Sequence, residues 1–245
     1  MRLLLDAGNS LIKWQLRQDG TVMKAGVGRA ESAELFQELD STDWARIGAV
    51  FVCTVRSEPA RKALEQLIAG HTSAGITYFW TEPRFGKLVC AYQEPATMGA
   101  DRWCAMVGAW DRIAAACVVI DAGSAITVDW IDASGQHEGG YILPGRNLML
   151  DALSEKTARV FFQKEQELHH YSPGRSTSEC VLHGVNWLIR TLALELGAGT
   201  GAAMMITGGD GTYIKKALEE SVGPDRQVML CPDLVMDGLA VLADR

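Results

Sequence analysis

Two segments of the chain combine a carboxylate, a glycine and hydroxyl-bearing residues in nearly the same order. They read Asp6-Ala7-Gly8-Asn9-Ser10 and Asp121-Ala122-Gly123-Ser124-Ala125, and each follows an apolar run. A carboxylate at the end of a buried strand can hold hydrated Mg²⁺, and a turn of small residues lets backbone N–H groups approach an anion. The glycine of each turn permits positive φ. The repeat predicts two related hairpins that bind phosphate between two lobes.

A second kind of chemistry is indicated by Gly99-Ala100-Asp101-Arg102, which begins a helical pattern. The first turn of a helix has free N–H groups that favour an anion, and Asp101 is either a capping carboxylate there or a general base for a substrate hydroxyl. The planar fork of Arg102 suits a carboxylate or a phosphate, and the sequence leaves that choice open.

Composition restricts the class of protein. The 245 residues are 48% hydrophobic and 22% charged, with a formal net charge of −7. These values are ordinary for a globular protein, and no apolar run approaches the roughly 20 residues of a membrane span. The first residues do not form a signal peptide, so we expect a cytoplasmic protein with no membrane partner. The negative charge argues against a nucleic-acid partner. The scattered cysteines are expected in the core, and the histidines are assigned no role.

Hydrophobic periodicity predicts the same order of elements in both halves, β-β-β followed by alternating helices and strands. In the first half strands are expected at 2–6, 10–17, 20–27, 47–55 and 76–80, with helices at 31–39, after Ser57 and at 99–116. In the second half strands are expected at 116–121, 125–132, 136–142, 202–206 and 227–230. Its helices should begin near 144, at the capping box Ser176-Thr177-Ser178-Glu179, at 214 and at 234, and 163–175 should be an exposed loop.

This order predicts two lobes, residues 1–115 and 116–245. The duplicated α/β pattern, with an Asp-x-Gly hairpin opening each half, resembles the actin, hexokinase and acetate kinase superfamily, whose lobes are also ribonuclease H-like. Within it the chain resembles the type III pantothenate kinases over nearly its whole length. The motifs that carry the resemblance are the two hairpins, Gly99–Arg102, Gly139-Gly140-Tyr141-Ile142-Leu143-Pro144-Gly145 and Thr207-Gly208-Gly209. Ser124 departs from the threonine usual in the family but keeps the hydroxyl.

The resemblance implies ATP in the cleft between the lobes and pantothenate as its phosphate acceptor. The residues implied for ATP and its phosphates are Asp6, Ala7, Gly8, Asn9, Ser10, Leu11, Ile12, Lys13, Ser124, Gly208 and Gly209. Those implied for pantothenate are Tyr92, Gly99, Ala100, Asp101, Arg102 and Thr177. Lys13 is equally well explained as a solvated strand residue. Tyr92 has an alternative role in loop packing, Thr177 in starting a helix, and Gly208 and Gly209 in a turn that requires positive φ.

Further expectations follow from the same resemblance. Asp6 is expected to hold the Mg²⁺ that accompanies ATP, and Asp121 a monovalent cation, K⁺ or NH₄⁺. Asp101 is the expected base that accepts the proton of the 4′-hydroxyl of pantothenate, in the first step of coenzyme A biosynthesis. A homodimer is expected, with the pantothenate site near the subunit interface. Two alternatives stay open, a non-enzymatic accessory factor in gene regulation and another small-molecule kinase of the superfamily.

Overall fold

The chain contains two five-stranded sheets with the same internal order. A computed structural model describes residues 1–30, 32, 34–157, 160–162, 170–199, 201–220, 222 and 226–245. By their contacts these residues divide into two units. The first unit consists of Met1–Ala115, Ser134–His137 and Asp233–Arg245, and the second consists of Ala116–Ala133 and Glu138–Pro232. The sequence places the whole of 116–245 in the second lobe, whereas by contacts its last helix and the short segment 134–137 belong to the first unit.

Twelve strands are found in the described part of the chain. They are β1 (Arg2–Ala7), β2 (Ile12–Gln18), β3 (Thr21–Gly28), β4 (Ala49–Thr54), β5 (Gly75–Phe79), β6 (Arg84–Phe85), β7 (Leu88–Val89), β8 (Cys117–Ala122), β9 (Ala125–Ile131), β10 (His137–Pro144), β11 (Ala203–Thr207) and β12 (Val228–Leu230). The short β6–β7 pair has no counterpart in the predicted order.

Seven α-helices accompany these strands within the described ranges. They are α1 (Ser41–Arg46), α2 (Glu58–Ala69), α3 (Ala100–Ile113), α4 (Arg146–Lys156), α5 (Thr177–Gly199), α6 (Gly211–Glu219) and α7 (Leu234–Ala243). A short 3₁₀ helix, Pro95–Thr97, precedes α3. The elements expected at 2–27, 47–80 and 99–142 are confirmed to within a few residues. In the loop expected at 163–175, residues 170–175 have no regular structure and 163–169 lie outside the described residues.

The sheet of the first unit has the order β3-β2-β1-β4-β5. Strands β1, β2 and β3 form an antiparallel meander, while β4 is parallel to β1 and β5 is parallel to β4. The turn between β2 and β3 places Asp19 and Gly20 at φ 50° and 80°, as a tight two-residue hairpin turn requires. Leu3, Leu5 and Trp14 are fully buried in the core. The sheet of the second unit has the matching order β10-β9-β8-β11-β12.

The helix expected at 31–39 is not formed. Residues 34–38 form turns whose backbone bonds join residues three apart, while 31 and 33 lie outside the described residues. The carbonyl of Leu35 accepts the indole N–H of buried Trp14 at 2.7 Å, which fixes this segment against the sheet. Helix α1 begins instead after Asp40, whose carboxylate accepts from the backbone N–H groups of Thr42 and Asp43 in a complete capping box. The sequence signal for this helix lies in those residues and was missed.

Helix α7 packs on α3 through two glycines. A Cβ on Gly108 would lie 2.5 Å from the carbonyl oxygen of Leu234, and a Cβ on Gly238 would collide with the carbonyl of Cys104. The two helix backbones therefore touch directly. The Asp237 carboxylate of α7 adds ion pairs with Arg17 at 3.0 Å and with Arg112 at 2.6 Å. These contacts explain why the last helix belongs to the first unit.

None of the helices within the described ranges is long and apolar enough to cross a membrane.

A methyl group at Gly238 tests the contact between α3 and α7. We expect Gly238→Ala to lower the free energy of unfolding by about 2 kcal/mol or more, because neither helix backbone can move away without breaking other contacts. Gly184→Ala is the control. This glycine lies inside α5 with no atom near its absent Cβ, so the substitution should raise stability by up to about 1 kcal/mol. Chemical denaturation of both variants measures the difference, and equal stability would contradict the contact.

Candidate active site

The first hairpin places an aspartate and a lysine at paired positions of adjacent strands. Asp6 in β1 is the direct cross-strand partner of Lys13 in β2, and the adjacent pair, Ala7 and Ile12, is fully buried. Asp6 and Lys13 are partly exposed, while Asn9 and Ser10 in the turn are exposed. Opposite charges at paired positions stabilise a hairpin modestly and place both groups at the same end of the sheet. The predicted phosphate-binding residues are thus presented at the end of a buried strand.

Strand β4 supports this hairpin from its other side. Asp6 pairs with Cys53, and Ala7 pairs with Thr54 in the parallel register. The hydroxyl of Thr54 donates to the carbonyl of Ala7 at 2.9 Å, and the Cys53 thiol lies 3.8 Å from an Asp6 carboxylate oxygen. The pKa of the Cys53 thiol is raised well above its usual value, first by its hydrogen bond with Cys104 and by burial, then by the nearby negative charges of Asp6 and Asp101. Both predicted functional carboxylates therefore lie within electrostatic reach of one buried thiol.

Asp101 is held against the start of α3. Its Oδ1 accepts the backbone N–H of Arg102 at 2.8 Å. A Cβ on Gly99 would lie 2.5 Å from the same oxygen, so the glycine leaves the space that the carboxylate occupies. The chain before α3 is fixed by Thr81, whose buried hydroxyl donates to the carbonyl of Met98 at 3.0 Å. The helix start thus sets the direction of the carboxylate.

Arg102 reaches from the same turn to Tyr92. Arg102 is 4% exposed, and its Nη1 donates to the Tyr92 hydroxyl at 2.9 Å. Its central carbon lies 5.7 Å from the centre of the tyrosine ring. The structure thus joins three of the residues predicted for substrate, Asp101, Arg102 and Tyr92, through α3 and the loop after β7. Sequence spacing gives no sign of the Arg102–Tyr92 bond.

The second hairpin repeats the first with different surroundings. Asp121 in β8 pairs with Thr127 in β9 and with Thr207 in the parallel strand β11. Gly208 follows at φ +90°, and a Cβ there would lie 2.5 Å from an Asp121 carboxylate oxygen and closer still to the Ala122 carbonyl. The chain of the Thr207-Gly208-Gly209 motif therefore lies directly on the hairpin. Ser124 at its tip is exposed.

The hairpin glycines Gly8 and Gly123 do not use the positive φ that glycine permits. Neither Gly8 nor Gly123 has a positive φ, whereas Gly139 and Gly208 do. At Gly8 the constraint is steric, because a Cβ would lie 3.2 Å from the carbonyl oxygen of Leu11. At Gly123 a Cβ would lie 3.7 Å from an Asp121 carboxylate oxygen, which is an ordinary contact, so the steric constraint applies to the first turn.

A buried polar group beside the second hairpin was not predicted. Arg146, the first residue of α4, is 7% exposed, and its Nε donates to the Asn186 carboxamide at 3.4 Å. Its Nη2 has no hydrogen-bond partner among the residues that the structure describes. Burial raises the pKa of Asp210, and the charge of Arg146 partly opposes that rise. The preceding residue, Gly145, donates its N–H to the Ser124 carbonyl at 3.0 Å.

Thr177 is the one predicted substrate residue that lies in the second unit. It is the exposed first residue of α5. The expected capping box is half formed. The hydroxyl of Ser176 accepts the backbone N–H of Glu179 at 3.2 Å, but the Glu179 carboxylate accepts the backbone N–H of Arg175 instead of that of Ser176. The other residues predicted for substrate lie in the first unit.

The donor set at Asp6 fits a magnesium ion that accompanies a phosphate ligand. Within the described ranges, no group of three or more His, Cys, Asp or Glu side chains could hold a metal by itself. Mg²⁺ in phosphate-transferring sites commonly takes one or two carboxylates and completes its shell with phosphate oxygens and water. A single carboxylate at the end of β1 meets that requirement. The carboxylate of Asp121 is the kind of oxygen ligand that a second hard cation would take.

Comparison with known proteins places this geometry in a family. A family model described as type III pantothenate kinase matches residues 2–196. A type III pantothenate kinase from Marinobacter nauticus is 38% identical, over 99% of this chain and 98% of the relative. The chain belongs to the type III pantothenate kinase family. The predicted family is therefore confirmed, and phosphoryl transfer is the chemistry to which the site residues must be related.

Solved structures confirm the predicted fold. A Campylobacter jejuni protein named for the Baf family of transcriptional activators has a TM-score of 0.63 and 23% identity, over 99% of this chain and 97% of that chain. The activator of 2-hydroxyisocaproyl-CoA dehydratase from Clostridium difficile, with bound ADPNP, has a TM-score of 0.55 and 12% identity, over 99% and 93% of the two chains. At these identities the likeness shows the actin-like fold alone, and the regulatory alternative gains no support from it. The roles of the individual residues stay predictions.

Adjacent glycines test how the second hairpin is built. Gly208→Ala should lower the free energy of unfolding by about 1–3 kcal/mol, because the new Cβ collides with the hairpin and φ is left-handed. Gly209→Ala is a matched control with open space at its Cβ, and its stability should stay within about 0.5 kcal/mol of the original. Denaturant titration of the two variants measures this. If both alanines are tolerated equally, Gly208 does not pack on Asp121 as described.

Proposed function

We propose that this protein transfers the γ-phosphoryl group of ATP to the 4′-hydroxyl of pantothenate, the first step of coenzyme A biosynthesis. The observation that carries the proposal is the Asp101 carboxylate at the start of α3, beside an Arg102 guanidinium that is bonded to Tyr92. Membership of the type III pantothenate kinase family supports it over the whole chain. We expect the reaction to take place in the cytoplasm.

The proposed chemistry needs one proton acceptor and well-placed positive charge. Phosphoryl transfer passes through a loose transition state, so positioning and electrostatic stabilisation account for most of the rate. Asp101 accepts the proton as the hydroxyl oxygen forms its bond to phosphorus. Because Arg102 is bound to Tyr92, we assign its guanidinium to the substrate's carboxylate rather than to the phosphates.

ATP is assigned to the two hairpins and to the glycines after β11. Asn9, Ser10 and Lys13 are proposed to contact its phosphates, with backbone groups of Asp6–Lys13, and Ser124 offers a hydroxyl and an N–H. Gly208 and Gly209 are assigned to adenosine. Bound Mg²⁺ would neutralise phosphate charge, with Asp6 as its protein ligand. Asp121 is assigned to a monovalent cation, K⁺ or NH₄⁺.

Helix α5 supports the proposal of a homodimer. Its exposed side includes Trp187 and Leu188, each 53% exposed, and Leu194, 38% exposed. A concave surface lined by Leu153, Val181 and Trp187 also includes Thr177. Large apolar side chains grouped on one helix are typical of a protein interface. An interface here would place Thr177 at a subunit boundary, in agreement with its proposed contact with pantothenate.

A turnover assay tests the proposed reaction. Purified protein with ATP and Mg²⁺ should release ADP only when pantothenate is present, and faster in K⁺ than in Na⁺. Asp101→Asn should lower kcat about 100-fold or more because the proton acceptor is lost. Asp111→Asn, an exposed aspartate on the same helix, is the control and should retain full activity. Undiminished turnover of Asp101→Asn, or ADP release that ignores pantothenate, would contradict the assignment.

Sedimentation velocity tests the dimer. Trp187→Glu should sediment as a monomer because it places a charge within the apolar surface. Met23→Glu changes a side chain of equal exposure, 53%, on the edge strand β3, and should remain a dimer. A monomeric original protein, or a dimer that persists in Trp187→Glu, would rule out this interface.

A further inference from the structure

His137 is a buried histidine for which the sequence suggests no role. It is 1% exposed, and it belongs with Ser134–Gln136 to the first unit although the chain on either side belongs to the second. A buried imidazole needs a hydrogen-bond partner and a packing surface, because its polar nitrogens are costly to remove from water. Both are supplied by the loop that carries Tyr92.

The segment around His137 is fixed to that loop by backbone contacts. The Val89 N–H donates to the carbonyl of Gly135 at 2.9 Å, and the Gln136 side-chain amide donates to the carbonyl of Val89 at 3.4 Å. Gly135 has φ +91°, and a Cβ there would lie 2.6 Å from the carbonyl oxygen of Lys87. The close approach leaves room only for glycine. The position of the imidazole relative to the loop is therefore set by the backbone.

Two of the contacts of the imidazole are with consecutive residues, Ala91 and Tyr92. Its Nδ1 accepts the backbone N–H of Ala91 at 3.3 Å. Its ring stacks beside the Tyr92 ring, with centroids 6.3 Å apart and planes inclined by 14°. One contact holds the backbone just before Tyr92 and the other restricts the side chain. Tyr92 then accepts the hydrogen bond from Arg102 at 2.9 Å, so a continuous series of contacts runs from His137 to the guanidinium.

We propose that His137 is a positioning residue for substrate recognition, which acts by holding Tyr92 and, through it, Arg102. The proposal rests on the proposed function, in which Tyr92 and Arg102 bind pantothenate. An arginine recognises a carboxylate through a planar fork, so the direction of the guanidinium decides how well it binds. Without His137 the Tyr92 hydroxyl would sample several positions, and Arg102 would lose one fixed acceptor. The cost should fall on pantothenate affinity.

The two contacts can be removed separately. His137→Asn keeps an acceptor near the position of Nδ1 but loses the ring, whereas His137→Phe keeps a flat ring but loses the acceptor. If both contacts matter, each variant should bind pantothenate better than His137→Ala and less well than the original. His71→Ala is the control. It removes another histidine of the first unit, whose ring stacks on Trp44 with centroids 4.6 Å apart.

Steady-state kinetics of a double-mutant cycle test the proposal. We expect His137→Ala to raise the KM for pantothenate about tenfold, with the KM for ATP changed less than about twofold. In a Tyr92→Ala background the same substitution should change the KM for pantothenate by less than about twofold, because the residue through which it acts is gone. His71→Ala should leave both KM values unchanged. A merely structural histidine would give the same factor in both backgrounds.

Three results would overturn the proposal. They are independent effects of His137→Ala and Tyr92→Ala, an equal rise of both KM values, and full affinity for pantothenate in His137→Ala. Thermal melting of each variant checks folding, and His137→Asn and His137→Phe take the place of the alanine variant in the cycle if it does not fold. If the original protein releases no ADP in response to pantothenate, the proposed function itself fails. Additive effects in an active enzyme reject only the role of His137.

Discussion

A buried strand that ends in a carboxylate is the constraint on which both units depend. The apolar runs before Asp6 and Asp121 are almost completely buried, so each strand carries its carboxylate to the margin of the core. Charge in this position is unfavourable unless hydrogen bonds, opposite charges or bound cations compensate it. Lys13 lies opposite Asp6, and no lysine or arginine occupies the equivalent place opposite Asp121. The two hairpins therefore differ in the charge of the residue paired with the carboxylate-bearing position.

Close packing explains three of the glycines at the candidate site, Gly99, Gly145 and Gly208. Gly99 leaves space for the Asp101 carboxylate, and Gly145 lies on the backbone of Ser124 with no room for a side chain. Both have φ values that other residues adopt readily, so their requirement is steric. Gly208 alone of these three combines a left-handed φ with a collision. A glycine in a sequence motif thus does not by itself say which of the two constraints applies.

The sequence was most informative where structure is local or repeated. Alternating and continuous apolar runs identified the strands of both sheets, and their repetition led to the duplicated fold. Helix α1 was missed because the weak signal of its capping box competed with apolar residues at 35, 36 and 39, which pack as turns. The place of α7 in the first unit depends on a contact between Gly108 and Gly238, which are far apart in the sequence. The same is true of the bond between Arg102 and Tyr92 and of the stacking of His137, since hydrophobic periodicity carries no information on long-range side-chain contacts.

Duplication of the fold does not make the two hairpins equivalent. The carbonyl of the last residue of β1 and that of the last residue of β8 accept hydrogen bonds from different kinds of donor. The carbonyl of Ala7 accepts a hydrogen bond from the Thr54 hydroxyl, whereas the carbonyl of Ala122 accepts the backbone N–H of Asp210. In the first unit a side-chain hydroxyl supplies the hydrogen bond to the hairpin carbonyl, so the backbone after β4 can continue directly to α2. In the second unit the chain itself must turn back over the hairpin, and this turn requires the left-handed Gly208. One unit thus keeps its carboxylate beside a lysine and near Asp101, and the other covers its carboxylate with glycine backbone. The surroundings of Asp6 and Asp121 therefore differ although their strands occupy equivalent places in the two sheets.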